Sequence, residues 1–318
     1  MPIISLIKKL FINMIEEIRR IFLLFIFIIQ MIYLSFTENH FFKLNLYYNY
    51  DNKDKTLCVY KSNISDKNKK YIYFFSGGFS LKCSPDITKI INDLNESYCL
   101  KNYNVYIIEM LDHSSLSVYN ELSDCIKQNL SKDVEEIIFF GLSGGGVVAS
   151  HLMNRCKELS CKKKIICYDS TFDVVANVKN FSEFFVYRID MLMYYIVKST
   201  YLNNWNFTNI KDKLKNKYVF GNGVNEFVKI VKSVENYDDA KLHEQSSFNF
   251  DQENNTKIVN IYSNNDPIIF QEISKNYIYE NIKKNINLKN ILKDTIGHCS
   301  DMSFNKYYLK YIIHALEY

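Results

Sequence analysis

The residues of this 318-residue chain that could carry out chemistry are marked by its glycines. There are only nine glycines, and glycine is required where φ is positive or where two backbone segments approach closely. Four of them surround Ser143, in the segment Gly-Leu-Ser-Gly-Gly-Gly that spans positions 141–146. Gly77-Gly78 follows an apolar run, and Gly297 directly precedes His298. Two of these three short loops therefore carry a side chain that could act in catalysis.

Ser143 lies between an apolar run at 135–140 and an amphipathic helical pattern at about 144–157. A strand followed by Gly-x-Ser-x-Gly and a helix is typical of a nucleophile elbow, a sharp turn that exposes the serine oxygen. The alternative is a glycine-rich turn that binds phosphate or merely closes tightly. However, the segment lacks the Lys-Ser/Thr ending of a P-loop and the glycine spacing of a dinucleotide-binding turn. We therefore predict that Ser143 is a nucleophile.

A serine nucleophile needs a base and an acid that orients the base, because its hydroxyl is poorly reactive at neutral pH. Asp266 follows the apolar run at 256–262, and His298 follows the run at 286–292. In a strand–turn–helix hydrolase the acid and then the histidine follow the serine along the chain. We predict that Asp266 and His298 complete a triad with Ser143. Two alternatives stay open: Asp169 could supply the acid, and Asp266 could instead cap the next helix.

Other histidines are weaker candidates for the base. His151 lies inside the predicted helix after Ser143, and His113 lies in a loop near the same predicted sheet edge. The remaining three do not follow a predicted strand; they are His40, His243 and His314. The position of His298 after a strand and a glycine favours it over all of these.

An oxyanion hole requires backbone N–H groups aimed at the oxygen that becomes charged during the reaction. Gly144 directly follows the nucleophile and is predicted to supply one of them. The second is predicted to come from the loop after the first long apolar run, at Gly78 or Phe79. Alternatively, Gly77-Gly78 forms only a turn that leaves the strand.

The elements that must position these residues alternate along the chain. Predicted strands cover 41–50, 55–61, 71–75, 104–110, 135–140, 163–168, 256–262 and 286–292, and predicted helices cover 84–99, 116–130, 144–157, 268–283 and 303–316. Short apolar strands that alternate with helices indicate a parallel sheet covered on both faces. The alternation stops between 171 and 250, which we interpret as an insertion over the carboxyl edge of the sheet.

With these motifs in place, residues 41–318 resemble the α/β-hydrolase superfamily. The resemblance is carried by Gly141-Leu-Ser-Gly-Gly145, Asn264-Asn-Asp-Pro267 and Gly297-His298. It implies an α/β-hydrolase fold, in which a mostly parallel eight-stranded sheet has helices on both faces. The insertion at about 171–250 would then be a helical cap, within a domain that covers 39–318.

The N-terminal segment, residues 1–38, contains a strongly apolar run from Ile21 to Phe36 that follows Arg19-Arg20. The run is close to the length that spans a bilayer, and no small-residue cleavage site follows it. We predict a single-pass membrane anchor with a cytosolic N-terminus. The alternatives are a cleaved signal, which would make the protein secreted or lumenal, and a helix packed on the domain.

Composition excludes other classes of function. The net charge of +4 is small, and no basic stripe predicts binding to nucleic acid. The eight cysteines have no metal-site spacing, and we expect neither a metal nor another cofactor. The aromatic segment from Phe181 to Tyr201 suggests an apolar acyl chain, so we expect a lipase-like or carboxylesterase activity on a small-molecule ester or lipid. A thioesterase, a peptidase and a non-catalytic binding protein of the same fold are the alternatives.

Overall fold

The computed structural model of the chain describes residues 2–37, 45–52, 55–61, 65, 67–75, 85–110, 116–173, 176–177, 248, 255–278, 287–299 and 306–318. Its strands are β1 (Asn45–Asn52), β2 (Lys55–Lys61), β3 (Lys70–Phe75), β4 (Tyr103–Met110), β5 (Glu136–Leu142), β6 (Lys162–Tyr168), β7 (Lys257–Ser263) and β8 (Leu288–Lys293). The helices among the described residues are α1 (Pro2–Thr37), α2 (Pro85–Glu96), α3 (Leu116–Gln128), α4 (Gly145–Arg155), α5 (Gln271–Tyr277) and α6 (Leu309–Glu317).

The strands form one eight-stranded sheet in the order β1-β2-β4-β3-β5-β6-β7-β8. The pairs β1–β2 and β2–β4 are antiparallel, and every pairing from β4 to β8 is parallel. The predicted mostly parallel sheet of eight strands is therefore confirmed. The four strands that precede the candidate site residues, β5 to β8, are neighbours in the sheet, so their carboxyl ends lie along one edge.

The sheet separates two apolar cores, because successive side chains in a strand point to opposite faces. In β3, Ile72 and Phe74 join a core with α2 and α6, whereas Tyr73 and Phe75 join a core with α3 and α4. The same alternation occurs in the neighbouring strand β5. Both faces of these strands are buried, which explains why their sequences are continuous apolar runs.

Helix α1 lies against the domain. Leu23 and Leu24 are buried, and Leu24 joins the core on the α2 face of the sheet. The Gln30 Nε2 donates to the carbonyl oxygen of Ile296 at 3.4 Å, and an Arg19 Nη2 donates to Asn265 Oδ1 at 3.1 Å. These contacts correspond to the third interpretation of the N-terminal segment, a helix packed on the domain.

The structure gives no support to the predicted single-pass membrane anchor. Among the residues that the structure describes, no helix combines the length and the apolar character needed to cross a bilayer.

The predicted cap lies almost entirely outside the described residues. Within 171–250 the structure describes only 171–173, 176–177 and 248. Phe172 and Phe248 are buried with ring centroids 4.6 Å apart, and the Phe248 N–H donates to the Phe172 carbonyl at 2.8 Å. The two ends of the insertion therefore meet beside β6, while the aromatic segment from Phe181 to Tyr201 is not described.

Six cysteines whose side chains the structure describes are not in disulfides: Cys99, Cys125, Cys156, Cys161, Cys167 and Cys299. Burial raises the pKa of the Cys167 thiol well above its usual range. Burial also raises the pKa of Cys156, to about 11, against a smaller opposite effect of its hydrogen bond with Ser123. Because the thiolate is the reactive form, these two residues act as small apolar core residues.

Candidate active site

Ser143 occupies the sharp turn between β5 and α4. Its φ of 51° lies in the left-handed region, which costs a non-glycine residue energy and persists only where the surroundings hold it. The Ser143 N–H donates to the carbonyl oxygen of Tyr168, at the end of the neighbouring β6, at 3.0 Å. The turn thus has the strand–turn–helix geometry of a nucleophile elbow, and the Ser143 side chain is partly exposed.

Two glycines permit this turn because α4 folds back closely on β5. A Cβ at Gly141 would overlap the backbone of Gly145 and Gly146. A Cβ at Gly146 would lie 2.6 Å from the Oγ of Ser170. Gly141 is therefore required by the close approach of the α4 backbone, and Gly146 by the close approach of the Ser170 side chain.

His298 and Asp266 are in direct contact. The His298 Nδ1 lies 2.8 Å from Asp266 Oδ2, and both residues are buried. The other carboxylate oxygen of Asp266, Oδ1, accepts the N–H groups of Ile268 at 2.7 Å and Ile269 at 2.8 Å. Asp266 therefore caps the turn before α5 with one oxygen while the other faces the imidazole, so the two interpretations of this residue are compatible.

The surroundings of His298 favour its protonated form. Burial has the largest effect and lowers the pKa of His298, but the charge and hydrogen bond of Asp266 raise it. Asp169 raises this pKa further, and Lys293 opposes it. The net result is a pKa above the ordinary 6.5. An imidazole held in this way can take up a proton from a nucleophile, because the resulting cation is stabilised chiefly by the Asp266 carboxylate.

The predicted site residues follow strands of the same parallel group. Ser143 follows β5, Asp266 follows β7 and His298 follows β8. Among the described residues no hydrogen bond joins Ser143 Oγ to the imidazole; the His298 Nε2 lies 4.0 Å from the Sγ of Cys299. The structure thus brings Asp266 and His298 together and sets Ser143 at the same sheet edge.

Asp169, the alternative acid, lies beside His298 but binds other groups. Its Oδ2 accepts the Lys293 ammonium at 2.6 Å and the Cys299 N–H at 2.9 Å. Both Asp169 and Lys293 have fully buried side chains. The carboxylate at the Nδ1 of His298 is that of Asp266.

The predicted oxyanion groups are described only in part. Gly144 is the N-cap of α4, with φ −60° and ψ −20°, so its amide lies at the positive end of the helix dipole, where developing negative charge is favoured. Gly78 and Phe79 lie outside the described residues.

The competing histidines are not placed at this contact. His151 is buried in α4 and its ring stacks on Tyr119 with centroids 5.3 Å apart. His314 lies in the last turn of α6. His40, His113 and His243 are outside the described residues.

One group of described residues could in principle hold a metal ion. Asp169, His298 and Cys299 offer ligand atoms within 4.8 Å of one another. However, the ammonium of Lys293 already neutralises the Asp169 carboxylate, and a second cation at this position would be repelled. We therefore assign no metal to this group.

Four further residues at the site escape the sequence patterns. Lys293 ends β8, Cys299 directly follows His298, and Phe27 of α1 has its ring centroid 6.1 Å from the ring of His298. Asn177 accepts the Phe270 N–H at 2.8 Å and donates to the Ile268 carbonyl at 3.1 Å, which fixes the turn after Asp266. Only the adjacency of Cys299 to His298 could have drawn attention to any of them.

Comparison with solved structures defines the fold. The structure is similar to the Pyrococcus furiosus esterase Pf2001, with a TM-score of 0.52 and 13% identity over 87% of this chain and 91% of that one. It is also similar to an alpha/beta hydrolase from a Medee basin deep-sea metagenome library, with a TM-score of 0.52 and 15% identity over 85% and 98% of the two chains. The sequence itself matches no protein-family model and no curated protein. The chain has the α/β-hydrolase fold.

Proposed function

We propose that the protein is a serine hydrolase that cleaves a carboxylic ester through an acyl-enzyme. The observation that carries this function is the 2.8 Å contact between His298 Nδ1 and Asp266 Oδ2, at the sheet edge where the elbow of Ser143 lies. A serine elbow with an imidazole and a carboxylate at neighbouring strand ends provides the groups for acyl transfer.

In the proposed reaction, the Ser143 Oγ attacks the ester carbonyl and its proton passes to the Nε2 of His298. Asp266 stabilises the imidazolium through Nδ1, and the Gly144 amide stabilises the oxyanion together with an amide from Gly78 or Phe79. The imidazolium then protonates the leaving alcohol. A water molecule, deprotonated by His298, then attacks the acyl carbonyl, the bond to Ser143 Oγ breaks, and the imidazolium returns the proton to Oγ as the carboxylic acid leaves.

An apolar acyl group is the proposed substrate class. Phe27 lies beside His298, and the aromatic segment from Phe181 to Tyr201 belongs to the insertion next to β6. Each buried methylene contributes about 0.8 kcal/mol, which is roughly fourfold in rate when it is buried in the transition state. In a series of p-nitrophenyl esters from acetate to octanoate, kcat/KM should therefore rise with chain length. A flat profile would contradict the apolar class without affecting the proposed chemistry.

The function is tested most directly with a fluorophosphonate, which labels activated serines. The wild-type protein should be labelled stoichiometrically and should hydrolyse p-nitrophenyl butyrate, whereas Ser143→Ala should do neither while its melting temperature stays within a few degrees. Ser97→Ala is the matched control, because Ser97 directly follows α2 and its Oγ donates to the Asp93 carbonyl. It should behave as wild type. Labelling of Ser143→Ala, or a folded wild-type protein without labelling, would overturn the proposed function and favour a non-catalytic binding protein.

A further inference from the structure

The mechanism proposed above does not use the buried ion pair next to the base loop. Lys293 Nζ lies 2.6 Å from Asp169 Oδ2, and neither side chain is exposed. Removing two charges from water costs several kcal/mol per ion unless geometry and further hydrogen bonds compensate. We propose that Asp169 and Lys293 are positioning residues that hold the loop of His298 against the end of β6 and balance the charge around its ring. This role builds on the proposed function.

The pair is connected directly to the base loop. Asp169 Oδ2 accepts the N–H of Cys299, the residue after His298, at 2.9 Å. Asp169 is itself anchored, since its N–H donates to the Ile261 carbonyl of β7 at 2.9 Å. Asp169 thus connects the backbone next to the imidazole to strand β7.

The same short segment also contacts the nucleophile elbow. The carbonyl of Tyr168 accepts the Ser143 N–H at 3.0 Å and lies 3.7 Å from the Cys299 Sγ. On the other side of Asp169, the Ser170 Oγ donates to the Gly141 carbonyl at 3.2 Å. Residues 168–170 therefore touch both the serine turn and the histidine loop, and a shift of this segment would change the separation of the two.

The backbone of both partners needs external support. Asp169 has a φ of 45° and Cys299 has a φ of 52°. Non-glycine residues stay in this region only when the surrounding structure holds them there. The hydrogen bond between these two residues, fixed by the ammonium of Lys293, provides that support on both sides.

The pair also acts on His298 electrostatically. The charged groups that influence the imidazole are Asp266 and Asp169, which raise its pKa, and Lys293, which lowers it. Cys299 contributes a thiol at 4.0 Å from Nε2, and α1 contributes the apolar Phe27. Neutralising one member of the pair would leave the other buried charge facing the ring.

The electrostatic role is tested by following the pKa of His298 with NMR in the full-length protein, with the signal assigned by its loss in His298→Gln. We expect the pKa of His298 to fall in Asp169→Asn, which removes a negative charge, and to rise in Lys293→Met, which removes a positive one. Lys164→Met is the matched control. Lys164, on β6, is buried like Lys293, but it pairs with Glu136 and the Leu316 carbonyl. The control should not move this pKa. Equal values in wild type and both single variants would overturn the proposal.

The positioning role is tested in double variants, which avoid an unpaired buried charge. Asp169→Asn/Lys293→Met keeps an acceptor for the Cys299 N–H, whereas Asp169→Gly/Lys293→Met removes it; Asn and Gly both tolerate the positive φ. We expect kcat per phosphonate-titrated site to be about tenfold to a hundredfold lower in the glycine double variant than in the asparagine double variant, because small displacements of catalytic groups have effects of this size. KM should change little. Equal kcat values would overturn the positioning role. An unlabelled wild type would overturn the proposed function instead, while the NMR titration would still decide whether the pair acts on His298.

Discussion

At the scale of single residues, the imidazole of His298 depends on a balance between burial and charge. Burial opposes its protonation, and the carboxylates of Asp266 and Asp169 outweigh that effect, so its pKa is raised above 6.5. A general base must be neutral in the free enzyme. The proposed hydrolysis should therefore be lost as the pH falls through this raised pKa of His298.

The pH profile provides a prediction for Asp266. The acid limb of kcat/KM for the wild-type protein should have its midpoint above 6.5, the ordinary value for histidine. In Asp266→Asn the stabilising charge is gone, so the midpoint for the residual activity should move to lower pH, and kcat should drop roughly 10³–10⁴-fold. Measurement of kcat/KM from pH 5 to 9 checks both. A midpoint that stays in place would mean that another group controls the limb.

The elbow provides a second prediction at this scale. Gly141→Ala would place a Cβ against the backbone of Gly145 and Gly146, so α4 or β5 must move, at a cost of about 1–3 kcal/mol for overpacking. We expect a lower melting temperature and loss of fluorophosphonate labelling. Gly144→Ala is the comparison, because φ is −60° there and the amide is retained. Labelling of Gly141→Ala at the wild-type rate would contradict the tight elbow.

Sequence could place Ser143, Asp266 and His298 after strands because the signals are local: glycines mark the turns and apolar runs mark the strands. It could not indicate Lys293, since lysine is almost always exposed and nothing near it in sequence shows that Asp169 lies opposite. The pairing joins residues 124 positions apart, and only the sheet order brings them together.

At the scale of elements, the bounds of the strands could be predicted closely from sequence, whereas the surroundings of α1 could not. The predicted run at 163–168 became β6 (Lys162–Tyr168), and the run at 256–262 became β7 (Lys257–Ser263). An apolar run flanked by arginines, in contrast, has the same pattern whether lipid or protein covers it. Arg20 shows the difference, because its guanidinium lies 4.2 Å from the ring centroid of Phe270 in the domain.

The packing of α1 leads to a prediction about its two faces. Leu24 is only 8% exposed and joins the domain core, whereas the adjacent Phe25 is 59% exposed. Leu24→Ala should cost about 2–5 kcal/mol of unfolding free energy, as for other buried leucines, and Phe25→Ala should change it little. Chemical denaturation of the full-length protein measures both. Equal stabilities of the two variants would mean that α1 does not pack as described.

The same contacts change the expectation for a truncated chain. Sequence alone suggests that the domain is independent of residues 1–38. Removal of α1 would expose the core around Leu24 and take away the hydrogen bond from Gln30 to Ile296, two residues before His298. We therefore expect the truncated protein to melt at a lower temperature and to hydrolyse esters more slowly per titrated site. A truncated protein equal to wild type in both respects would contradict this.

At the scale of the whole molecule, the sheet assembles a site from segments that are distant in sequence. Hydrogen bonds between the segments at the carboxyl ends of neighbouring strands hold these segments together. Ser170 links to Gly141, Asp169 links to Cys299, and the Ser263 Oγ donates to the Thr295 carbonyl at 2.6 Å. The middle of the sheet supplies stability, and its carboxyl edge holds the groups to which we assign the proposed chemistry.

This division predicts that stability and catalysis can be changed separately. Ile138 is fully buried in the middle of β5, so Ile138→Val should cost about 0.5–1.5 kcal/mol and Ile138→Ala about 2–5 kcal/mol of unfolding free energy. Well below the melting temperature, both variants should keep the wild-type kcat/KM per phosphonate-titrated site, because the loops at the sheet edge keep their hydrogen bonds. Asp266→Asn should show the reverse: a large decrease in kcat/KM and a comparatively small decrease in unfolding free energy. A kcat/KM that decreased together with the unfolding free energy in the Ile138 variants would contradict this prediction. It would mean that packing in the core, rather than the hydrogen bonds between the loops, determines the geometry of the site.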